Sequence, residues 1–504
     1  MDGADFEIIN NLIKTGSLPN FKKLLENSSY NSLLSPIIAN SAPSWSSIFT
    51  GKSISNHGIL YFQNQLEDKV EFFDCYLNTI DGERLWTAFD QEGYLSCIVN
   101  VPITYPPEAV NGLMISGRLA SETSVFTYPD TLTERLKKEG YHPTFDTAAS
   151  DDDLFEILNK RIEIALDLIR NVDWDLFFQG FLIIDWIMHH FSEDSILKQV
   201  KANKDISEFA IVKKAYKKMD SFLGDLMQIL KRDDKLFIFS DHGFKRYDFM
   251  FNVNIWLIKN QFLTLKRPPL TFLRDALLYF PTKIKRAIFG QKNILGIRQP
   301  TFDWNKNVDW EKTLFYSPEF FVNCSSFRLN PYLKLGDAEK NKLITQLIEK
   351  LKIADYKGLK IFDEFKLRED IFKGKYSFRM PELLGILNSK IRSDKRIYGK
   401  GNPITDKNSV EHRREGIFIA HGKDIKPGKL KVIPEVQDIF PTIRFAADLP
   451  IHNNLDGNIL NDIFTESFNK TPKVINKNEI KSEVKIGQKY DESLIERLKD
   501  LGYM

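Results

Sequence analysis

The stretch LFIFSDHG, Leu236 to Gly243, joins a short apolar run to residues that carry chemical function. A helical pattern with apolar residues recurring at three and four, Ile211 to Leu230, precedes it. Continuous apolar runs of this length are typical of strands that are buried on both faces of a parallel sheet. The stretch therefore predicts a strand that ends at Asp241 and His242, where Gly243 would allow a tight turn.

Other runs of the same kind extend this interpretation. LSCIVNVP, Leu95 to Pro102, and the segment Phe177 to Ile184 predict further strands, and helix-like segments lie between them. GIFIA, Gly416 to Ala420, predicts a strand much later in the chain. This alternation is typical of an α/β fold. We expect a mostly parallel central sheet with helices on both faces, together with an inserted cap region.

The length of the chain, 504 residues, favours one large core with insertions. The βα alternation weakens after residue 260 and resumes at about residue 401. We therefore expect a first part of the core over residues 1–259 and an inserted cap or substrate region over 260–400. The second part of the core would span 401–463, and a linker with a C-terminal helix would span 464–504.

The composition excludes several classes of protein. Hydrophobic residues make up 42% of the chain, which is too many for a disordered protein, and the net charge of +2 predicts no nucleic-acid partner. The apolar runs are too short for a membrane span. Three widely spaced cysteines indicate neither a disulfide framework nor a thiolate metal site. A reducing, cytoplasmic location is the expectation, and the oligomeric state stays open.

Two Asp and His pairs occupy equivalent places in the predicted sheet. Asp185 and His189 stand four residues apart just after one strand, and Asp241 and His242 directly follow another. The carboxyl ends of strands are where open α/β sheets bind ligands. Hydrolysis of phosphate esters by two divalent cations requires such carboxylate and imidazole ligands. Spacing alone does not decide among the remaining histidines, His57, His142, His190, His412, His421 and His452.

The stretch SAPSWSSIFTGKSISNHGILYF, Ser41 to Phe62, resembles the nucleophile segment of a known family. That family is the type I phosphodiesterase/nucleotide pyrophosphatase branch of the alkaline-phosphatase superfamily, in particular its prokaryotic predicted phosphohydrolase/phosphomutase group. Further stretches resemble family blocks in the same order: NVPITYPP (100–107), DWIMHHF (185–191), SDHGF (240–244), EHRREGIFIA (411–420), DIFPTIRFAADLP with LDGNIL (438–460) and the terminal ERLKDLGY.

The resemblance implies a metal-dependent phosphohydrolase that acts on a small phosphorylated substrate, with phosphodiesters or nucleotide pyrophosphates favoured. Ser41 matches the nucleophile, which would form a covalent phosphoseryl intermediate. The resemblance implies two divalent metal ions, with Zn favoured over Mn or Fe. It assigns one metal to Asp185, His189 and His412, and the other to Asp2, Asp241, His242 and Ser41.

Several assignments stay open at this stage. Ser44 is a reasonable helix N-cap, and it is also a candidate contact for phosphoryl oxygens. His412, in a polar stretch expected to be a loop, is preferred to His421 as a ligand. Asp2 either ligates or lies on a flexible terminus. We expect a structural role for His57.

Alternative functions follow from the same residues. Trp45 occupies the place where a sulfatase would need Arg, so that branch is not favoured. A phosphomutase, or a non-catalytic metal- or ligand-binding member of the fold, are the alternatives to a hydrolase. The expected roles of His190 are packing or the substrate pocket. Lys283, Lys285 and Arg286 would form either a solvated helix face or a contact to an anionic substrate.

Overall fold

The computed structural model describes residues 1–190, 210–266, 303–394, 397, 401–468 and 470–476. Its helices are α1 (Phe6–Lys14), α2 (Pro19–Glu26), α3 (Ser41–Thr50), α4 (Ile54–His57), α5 (Leu85–Asp90), α6 (Thr131–Lys138), α7 (Asp151–Asn171), α8 (Ile183–His190), α9 (Ala210–Ile229), α10 (Val253–Lys259), α11 (Trp304–Asn307), α12 (Asp337–Lys352), α13 (Arg368–Ile371) and α14 (Ile439–Ala446). Its strands are β1 (Ser29–Leu34), β2 (Gln63–Gln65), β3 (Phe72–Asp74), β4 (Ser96–Val99), β5 (Gly112–Ile115), β6 (Thr127–Tyr128), β7 (Leu176–Gln179), β8 (Lys235–Phe239), β9 (Gly243–Tyr247), β10 (Phe249–Asn252), β11 (Phe315–Tyr316), β12 (Cys324–Leu329), β13 (Asp355–Tyr356), β14 (Leu359–Lys360), β15 (Phe362–Leu367), β16 (Leu383–Leu387), β17 (Ile391–Asp394), β18 (Ile404–Thr405), β19 (Ser409–Arg413), β20 (Glu415–Gly422), β21 (Gly428–Lys429), β22 (Ile451–His452) and β23 (Val474–Ile475).

Two four-stranded sheets form the centre of the molecule. One has the order β6-β5-β4-β7, in which β4 runs parallel to both β5 and β7. The other has the order β21-β1-β20-β8, in which β20 runs antiparallel to both β1 and β8. The α/β class is therefore confirmed. The late strand predicted at Gly416–Ala420 is present as β20 and supplies the antiparallel pairings.

Both faces of these sheets are buried. In β20, Phe418 and Ala420 belong to a core cluster that includes Trp45 and Phe178. Ile417 and Ile419 of the same strand belong to the cluster on the other side. Successive strand residues point to opposite faces, so the continuous apolar run is explained by helices that cover both sides.

A third cluster of buried residues consists of Val70 and segments between residues 249 and 404. It contains the antiparallel sheet β11-β12-β16-β15 and the helix α12, which packs Leu347 and Leu351 against it. The division of the chain at residues 259 and 400 stays a prediction. Glu319 and Arg328 form a buried ion pair inside this region.

Two sequence-based expectations are wrong in detail, and close backbone contacts explain both. The strand predicted over Phe177–Ile184 ends at Gln179, and α8 begins at Ile183. At Gly180 a Cβ atom would lie 2.1 Å from the Asn100 carbonyl oxygen. Gly243 makes no tight turn but opens β9, and a Cβ atom there would lie 2.2 Å from the Glu415 oxygen. Glycine is required at these positions because backbones approach closely.

Within the described ranges, no helix combines the length and apolarity that are needed to cross a membrane. The expectations for Lys283, Lys285 and Arg286 lie outside the described residues, as do those for the side chain of His190 and for the C-terminal helix.

Candidate active site

The sequence-predicted site residues come together at the carboxyl ends of β7 and β8. Asp185 and His189 lie on α8 after β7, Asp241 and His242 follow β8, and His412 lies on β19. The expectation that His412 belongs to a loop is wrong, because Ser409–Arg413 pairs with β9. The remaining members are Asp2 near the first residue and Ser41 at the first turn of α3. Asp2 is fully buried, so the alternative of a flexible terminus is also wrong.

The first group of side chains surrounds Asp185. Its Oδ1 atom lies 3.2 Å from His189 Nε2, 3.4 Å from His412 Nε2 and 3.7 Å from His242 Nε2. The Nε2 atoms of His189 and His412 are 2.8 Å apart. Donor atoms of Asp185, His242 and His412 all lie within 4.8 Å of one another, a spacing that could hold a metal ion.

The second group consists of two further carboxylates near the same His242 nitrogen. Asp241 Oδ2 lies 3.4 Å from His242 Nε2, and Asp2 Oδ1 lies 3.5 Å from it. These three residues also have donor atoms within 4.8 Å of one another. Both carboxylate oxygens are buried and have no hydrogen-bond partner. Buried carboxylate oxygens are costly unless a cation or donor satisfies them, so these residues fit a metal ion.

Each carboxylate of the cluster uses its other oxygen for a protein donor. Asp2 Oδ2 accepts from Trp45 Nε1 at 3.0 Å, and Asp241 Oδ1 accepts from the Gly3 amide at 3.4 Å. Asp185 Oδ2 faces Arg118 Nη1 at 3.5 Å. Outer contacts of this kind fix the orientation of ligand side chains and leave one oxygen for the ion.

His242 and His412 likewise use one ring nitrogen for a contact to the protein backbone and direct the other toward the cluster. His412 Nδ1 lies 3.2 Å from the Ala39 carbonyl oxygen, and His242 Nδ1 lies 3.3 Å from the Gly243 carbonyl oxygen. A carbonyl partner requires a proton on Nδ1, which leaves Nε2 as the acceptor. Both imidazoles therefore present a lone pair to the centre of the cluster.

The pKa values reflect the crowding of acidic groups. Burial, together with the neighbouring Asp185, raises the pKa of Asp241 to about 7. Burial and the nearby Asp241 raise the pKa of Asp2 well above its ordinary value. Burial would also raise the pKa of Asp185, but His189, His412 and Arg118 hold it well below its ordinary value. Burial lowers the pKa of both His242 and His412, which favours the neutral form that binds metals.

Ser41 occupies the first turn of the ten-residue helix α3. Its Oγ atom lies 3.2 Å from His242 Nε2 and is completely buried. Asn40 is the N-cap, since its side chain accepts from the Ala42 amide at 3.1 Å. The interpretation of Ser44 as the N-cap is therefore wrong. Ser44 lies inside the helix, three residues after Ser41, and its buried Oγ has no hydrogen-bond partner.

His57 and His421 contact residues outside these two groups. His57 Nε2 contacts Ser47 Oγ at 3.0 Å, and His57 Nδ1 accepts from the Ile59 amide, as expected for a structural residue. Burial lowers the pKa of His57 to about 3. His421 Nδ1 instead contacts Ser28 Oγ and the Asn27 carbonyl oxygen.

The sequence analysis did not identify Asn40, Arg118 or the contact of Trp45 to Asp2. Asn40 directly precedes Ser41, so its capping role could have been inferred from the preference of helix N-caps for Asn. Arg118 lies 67 residues from Asp185, and its role depends on a loop path that no local pattern predicts.

Comparison with solved structures places the fold. An inactive form of murine ectonucleotide pyrophosphatase/phosphodiesterase 5, in complex with AMP, superposes with a TM-score of 0.52 and 13% sequence identity, covering 92% of this chain and 98% of that one. Phosphonoacetate hydrolase from Sinorhizobium meliloti, in complex with phosphonoacetate, superposes with a TM-score of 0.53 and 14% identity, covering 89% and 93%. These likenesses show the alkaline-phosphatase-like fold.

Sequence comparison adds the family. No curated protein matches the chain. The model of the family type I phosphodiesterase/nucleotide pyrophosphatase matches residues 1–287, which is more than half of the 504 residues and includes every site residue except His412. The chain therefore belongs to the type I phosphodiesterase/nucleotide pyrophosphatase family and is a phosphoric ester hydrolase.

Proposed function

We propose that this enzyme hydrolyses phosphodiesters or nucleotide pyrophosphates through a covalent phosphoseryl-type intermediate on Ser41, with two divalent cations as cofactors. One observation carries the proposal: Ser41 Oγ and the partnerless oxygens of Asp2 and Asp241 all face His242 Nε2. A nucleophile beside such a set of donor atoms is the arrangement that metal-assisted phosphoryl transfer needs.

The donor atoms divide into two sets. Asp185, His189 and His412 would hold one cation, and Asp2, Asp241 and His242, with Ser41, would hold the other. Mixed carboxylate and imidazole donors suit Zn, and they also accept Mn or Fe. When bound, such cations supply positive charge that favours an ionised serine and stabilises a leaving oxyanion.

The protein side chains account for the remaining steps. Ser41 Oγ loses its proton to solvent and attacks phosphorus, so that an Oγ–P bond forms, the bond to the leaving oxygen breaks, and the leaving group departs as an alkoxide or takes up a proton. Water then loses a proton and attacks phosphorus, the Oγ–P bond breaks, and the serine oxygen takes up a proton again. The amide groups at the first turn of α3 favour the negative charge of the phosphoryl oxygens. Ser44 Oγ, which is buried without a partner, would donate to one of these oxygens.

Two further observations support the choice of substrate and compartment. The structural relatives bind AMP and phosphonoacetate, both of which are small and carry a phosphorus-containing acid group. The three cysteines, Cys75, Cys97 and Cys324, are buried and unpaired, which supports a reducing, cytoplasmic setting.

The Ser41→Ala variant tests the nucleophile. Turnover of bis(p-nitrophenyl) phosphate with added Zn or Mn should fall by about 10³-fold or more, because the attacking oxygen is lost. The metal content of the protein should persist, because most donor atoms remain. Ser46→Ala is the matched control, since Ser46 is buried in the same helix and donates only to the Ala42 carbonyl oxygen.

Substrate preference is measured in the same assay with p-nitrophenyl phosphate, and the diester should be hydrolysed faster. Metal-loaded wild-type protein that turns over neither ester with either Zn or Mn would contradict the proposal and favour the non-catalytic alternative. Equal turnover by Ser41→Ala and wild type would exclude Ser41 as the nucleophile.

A further inference from the structure

The loop that leads into α3, residues 35–40, lies between two parts of the chain that are far from it in sequence. We call it the entry loop, since it ends directly before Ser41. Ile38, Ala39 and Asn40 of this loop are buried. Buried backbone groups need hydrogen-bond partners, so the groups that satisfy the entry loop also fix its course.

One side of the entry loop is held by the core. The Arg414 guanidinium donates to the Ser35 carbonyl oxygen from Nη2 at 2.8 Å and to the Pro36 carbonyl oxygen from Nε at 3.0 Å. The Arg414 carbonyl oxygen accepts from the Ser35 amide at 2.9 Å. Arg414 lies between β19 and β20, so the start of the loop is fixed beside the strand that carries His412.

The other side of the entry loop is held by Asn323, a residue that lies outside the two central sheets. Its Nδ2 atom donates to the Ile37 carbonyl oxygen at 2.8 Å, and its Oδ1 atom accepts from the Ala39 amide at 3.4 Å. These two backbone groups belong to the peptide planes that flank Ile38. One side-chain amide therefore holds the backbone on both sides of that residue.

Asn323 is itself anchored to a packed strand. It directly precedes β12, and its carbonyl oxygen accepts from the Leu387 amide of β16 at 3.1 Å. Cys324, at the start of β12, belongs to the core cluster that contains Trp45 of α3, whereas Phe327 of the same strand belongs to the third cluster. This strand therefore joins the region after residue 260 to the packing around α3.

The contacts of the entry loop continue to side chains of the candidate site. The Ala39 carbonyl oxygen lies 3.2 Å from His412 Nδ1, and this contact keeps the proton on Nδ1 and the lone pair on Nε2. The Asn40 amide donates to the Ile38 carbonyl oxygen at 3.0 Å, and the Asn40 side chain caps α3 at the Ala42 amide. A shift of the loop would therefore move both the His412 ring and the first turn of α3.

We propose that Asn323 is a positioning residue for the reaction, because it holds the entry loop so that Ser41 and His412 keep their alignment. The inference rests on the proposed function, in which Ser41 attacks phosphorus and His412 binds a cation. Asn323 acts on both groups through the backbone of Ile37 and Ala39. Contacts one step removed from metal ligands are worth about 10- to 100-fold, and a misplacement of about 1 Å costs about 100-fold in rate.

The test compares Asn323→Ala with Asn330→Ala in the full chain. Asn330 is buried in the same region, and its side chain donates to the carbonyl oxygens of Trp310 and Thr313 and accepts from the Tyr332 amide. Both variants lose hydrogen bonds from a side-chain amide to the backbone, but the backbone that Asn330 holds lies outside the entry loop. Asn330→Ala is therefore the matched control.

Steady-state kinetics on bis(p-nitrophenyl) phosphate with saturating Zn gives the first readout. In Asn323→Ala kcat should fall by about 10- to 100-fold with KM nearly unchanged, because alignment is lost and substrate binding is not, whereas Asn330→Ala should stay within about twofold of wild type. Asn323→Asp keeps the size of the side chain but turns an oxygen toward the Ile37 carbonyl oxygen, so its kcat should fall by about tenfold or more. Equal losses in Asn323→Ala and Asn330→Ala, or wild-type kcat in Asn323→Asp, would overturn the proposal.

Metal-free protein gives a second readout that does not depend on turnover. With isotope-labelled histidine, nitrogen NMR should show the His412 proton on Nδ1 in wild type and in Asn330→Ala, and a loss of this preference in Asn323→Ala. The Ala39 amide should exchange its hydrogen about tenfold or more faster in Asn323→Ala alone. If wild-type protein hydrolysed neither ester, the proposed function would fail, but these two signals would still show whether Asn323 holds the loop. An unchanged His412 tautomer together with unchanged exchange at Ala39 would overturn the inference.

Discussion

The two acidic groups of the candidate site share a buried cluster but differ in how their charge is balanced. Asp185 is surrounded by cationic and polar partners, with Arg118 on one oxygen and His189 and His412 on the other. Asp2 and Asp241 instead lie side by side, and each has one buried oxygen without a partner. Accordingly, the pKa of Asp185 is well below its ordinary value, whereas the pKa of Asp241 is raised to about 7.

Protein side chains therefore balance the negative charge in only one half of the site, the half that contains Asp185. The charge of Asp185 is balanced by side chains, so that half is preformed as an anionic ligand. The pair Asp2 and Asp241 gains most from a bound cation, because two close carboxylates repel each other in a buried setting. We therefore expect the two halves to respond in opposite ways to metal removal and to pH.

The largest expected effect is common to both halves. Asp185→Asn and Asp241→Asn should each lower diester turnover by about 100-fold or more, because each removes a charged ligand and outer contacts alone are worth 10- to 100-fold. Steady-state kinetics with saturating metal measures this loss. Asp220→Asn is the control, since Asp220 is buried and its hydrogen bonds to described residues are with Asn20 and Phe21. Activity above one-tenth of wild type in either ligand variant would show that the corresponding half is dispensable.

The next prediction concerns the free energy of unfolding, which should change in opposite directions when a carboxylate of each half is replaced. In metal-free protein, Asp2→Asn should raise the free energy of unfolding, because it removes a carboxyl group that must either be buried with its charge or take up a proton on folding, and it keeps an acceptor for Trp45. Asp185→Asn should lower it, because Arg118 and His189 lose their counter-charge. Both changes should be about 1 to 3 kcal/mol.

Urea unfolding in the presence of a chelator measures these changes. With added metal, Asp2→Asn should lower the free energy of unfolding instead of raising it, since a bound cation stabilises the native state of wild type more than that of the variant. If both variants were destabilised equally without metal, the proposed difference in charge balance would be wrong.

The dependence of stability on pH follows from the raised pKa of Asp241. Folded, metal-free protein keeps this proton up to about pH 7, whereas the unfolded chain loses it near pH 4. The folded state therefore binds more protons between these values, and its stability should fall as pH rises, by about 1.4 kcal/mol per pH unit for one proton. Asp185 acts oppositely, but only as pH falls below its ordinary pKa.

Metal-loaded protein provides the comparison for this pH series. Protons and cations compete for the same carboxylates, so the loaded protein should gain stability over the same rise in pH. Denaturant unfolding from pH 4.5 to 7.5, with and without Zn, distinguishes the two trends. Parallel trends would mean that Asp241 is not a ligand.

The sequence predicted the parts of this structure that depend on local pattern. Apolar runs placed β4, β7, β8 and β20, and the periodicity of Ile211–Leu230 placed α9. The pairs at Asp185 and at Asp241 were found because ligands collect at the carboxyl ends of strands. The convergence of His412 with them depended on the family resemblance, since no local pattern separates it from His421.

Other features could not be predicted because they depend on long-range packing. Strand β20 lies antiparallel between β1 and β8, and both of these strands are far from it in the sequence. The burial of Asp2 results from the bridge that Met1 and Asp2 form between the two sheets. Gly243 was interpreted through its flexibility, whereas its role, like that of Gly180, is to let two backbones approach closely.

The smallest expected effect concerns a contact outside the set of ligands. Trp45→Phe removes the Nε1 donor from Asp2 Oδ2 and keeps most of the buried ring volume. Without that donor Asp2 can rotate, so we expect affinity for the metal held by Asp2, Asp241 and His242 to fall by about tenfold, with the other metal unaffected. Metal titration by calorimetry resolves the two sites. Trp86→Phe is a close control, because Trp86 is equally buried and its Nε1 donates to Glu108, which is not a site residue. A general packing defect would lower metal affinity or thermal stability equally in both variants. A loss of affinity for one metal in Trp45→Phe alone would show that Asp2 binds that metal. It would also show that the half of the site with Asp2 and Asp241 depends on a contact that the Asp185 half does not need.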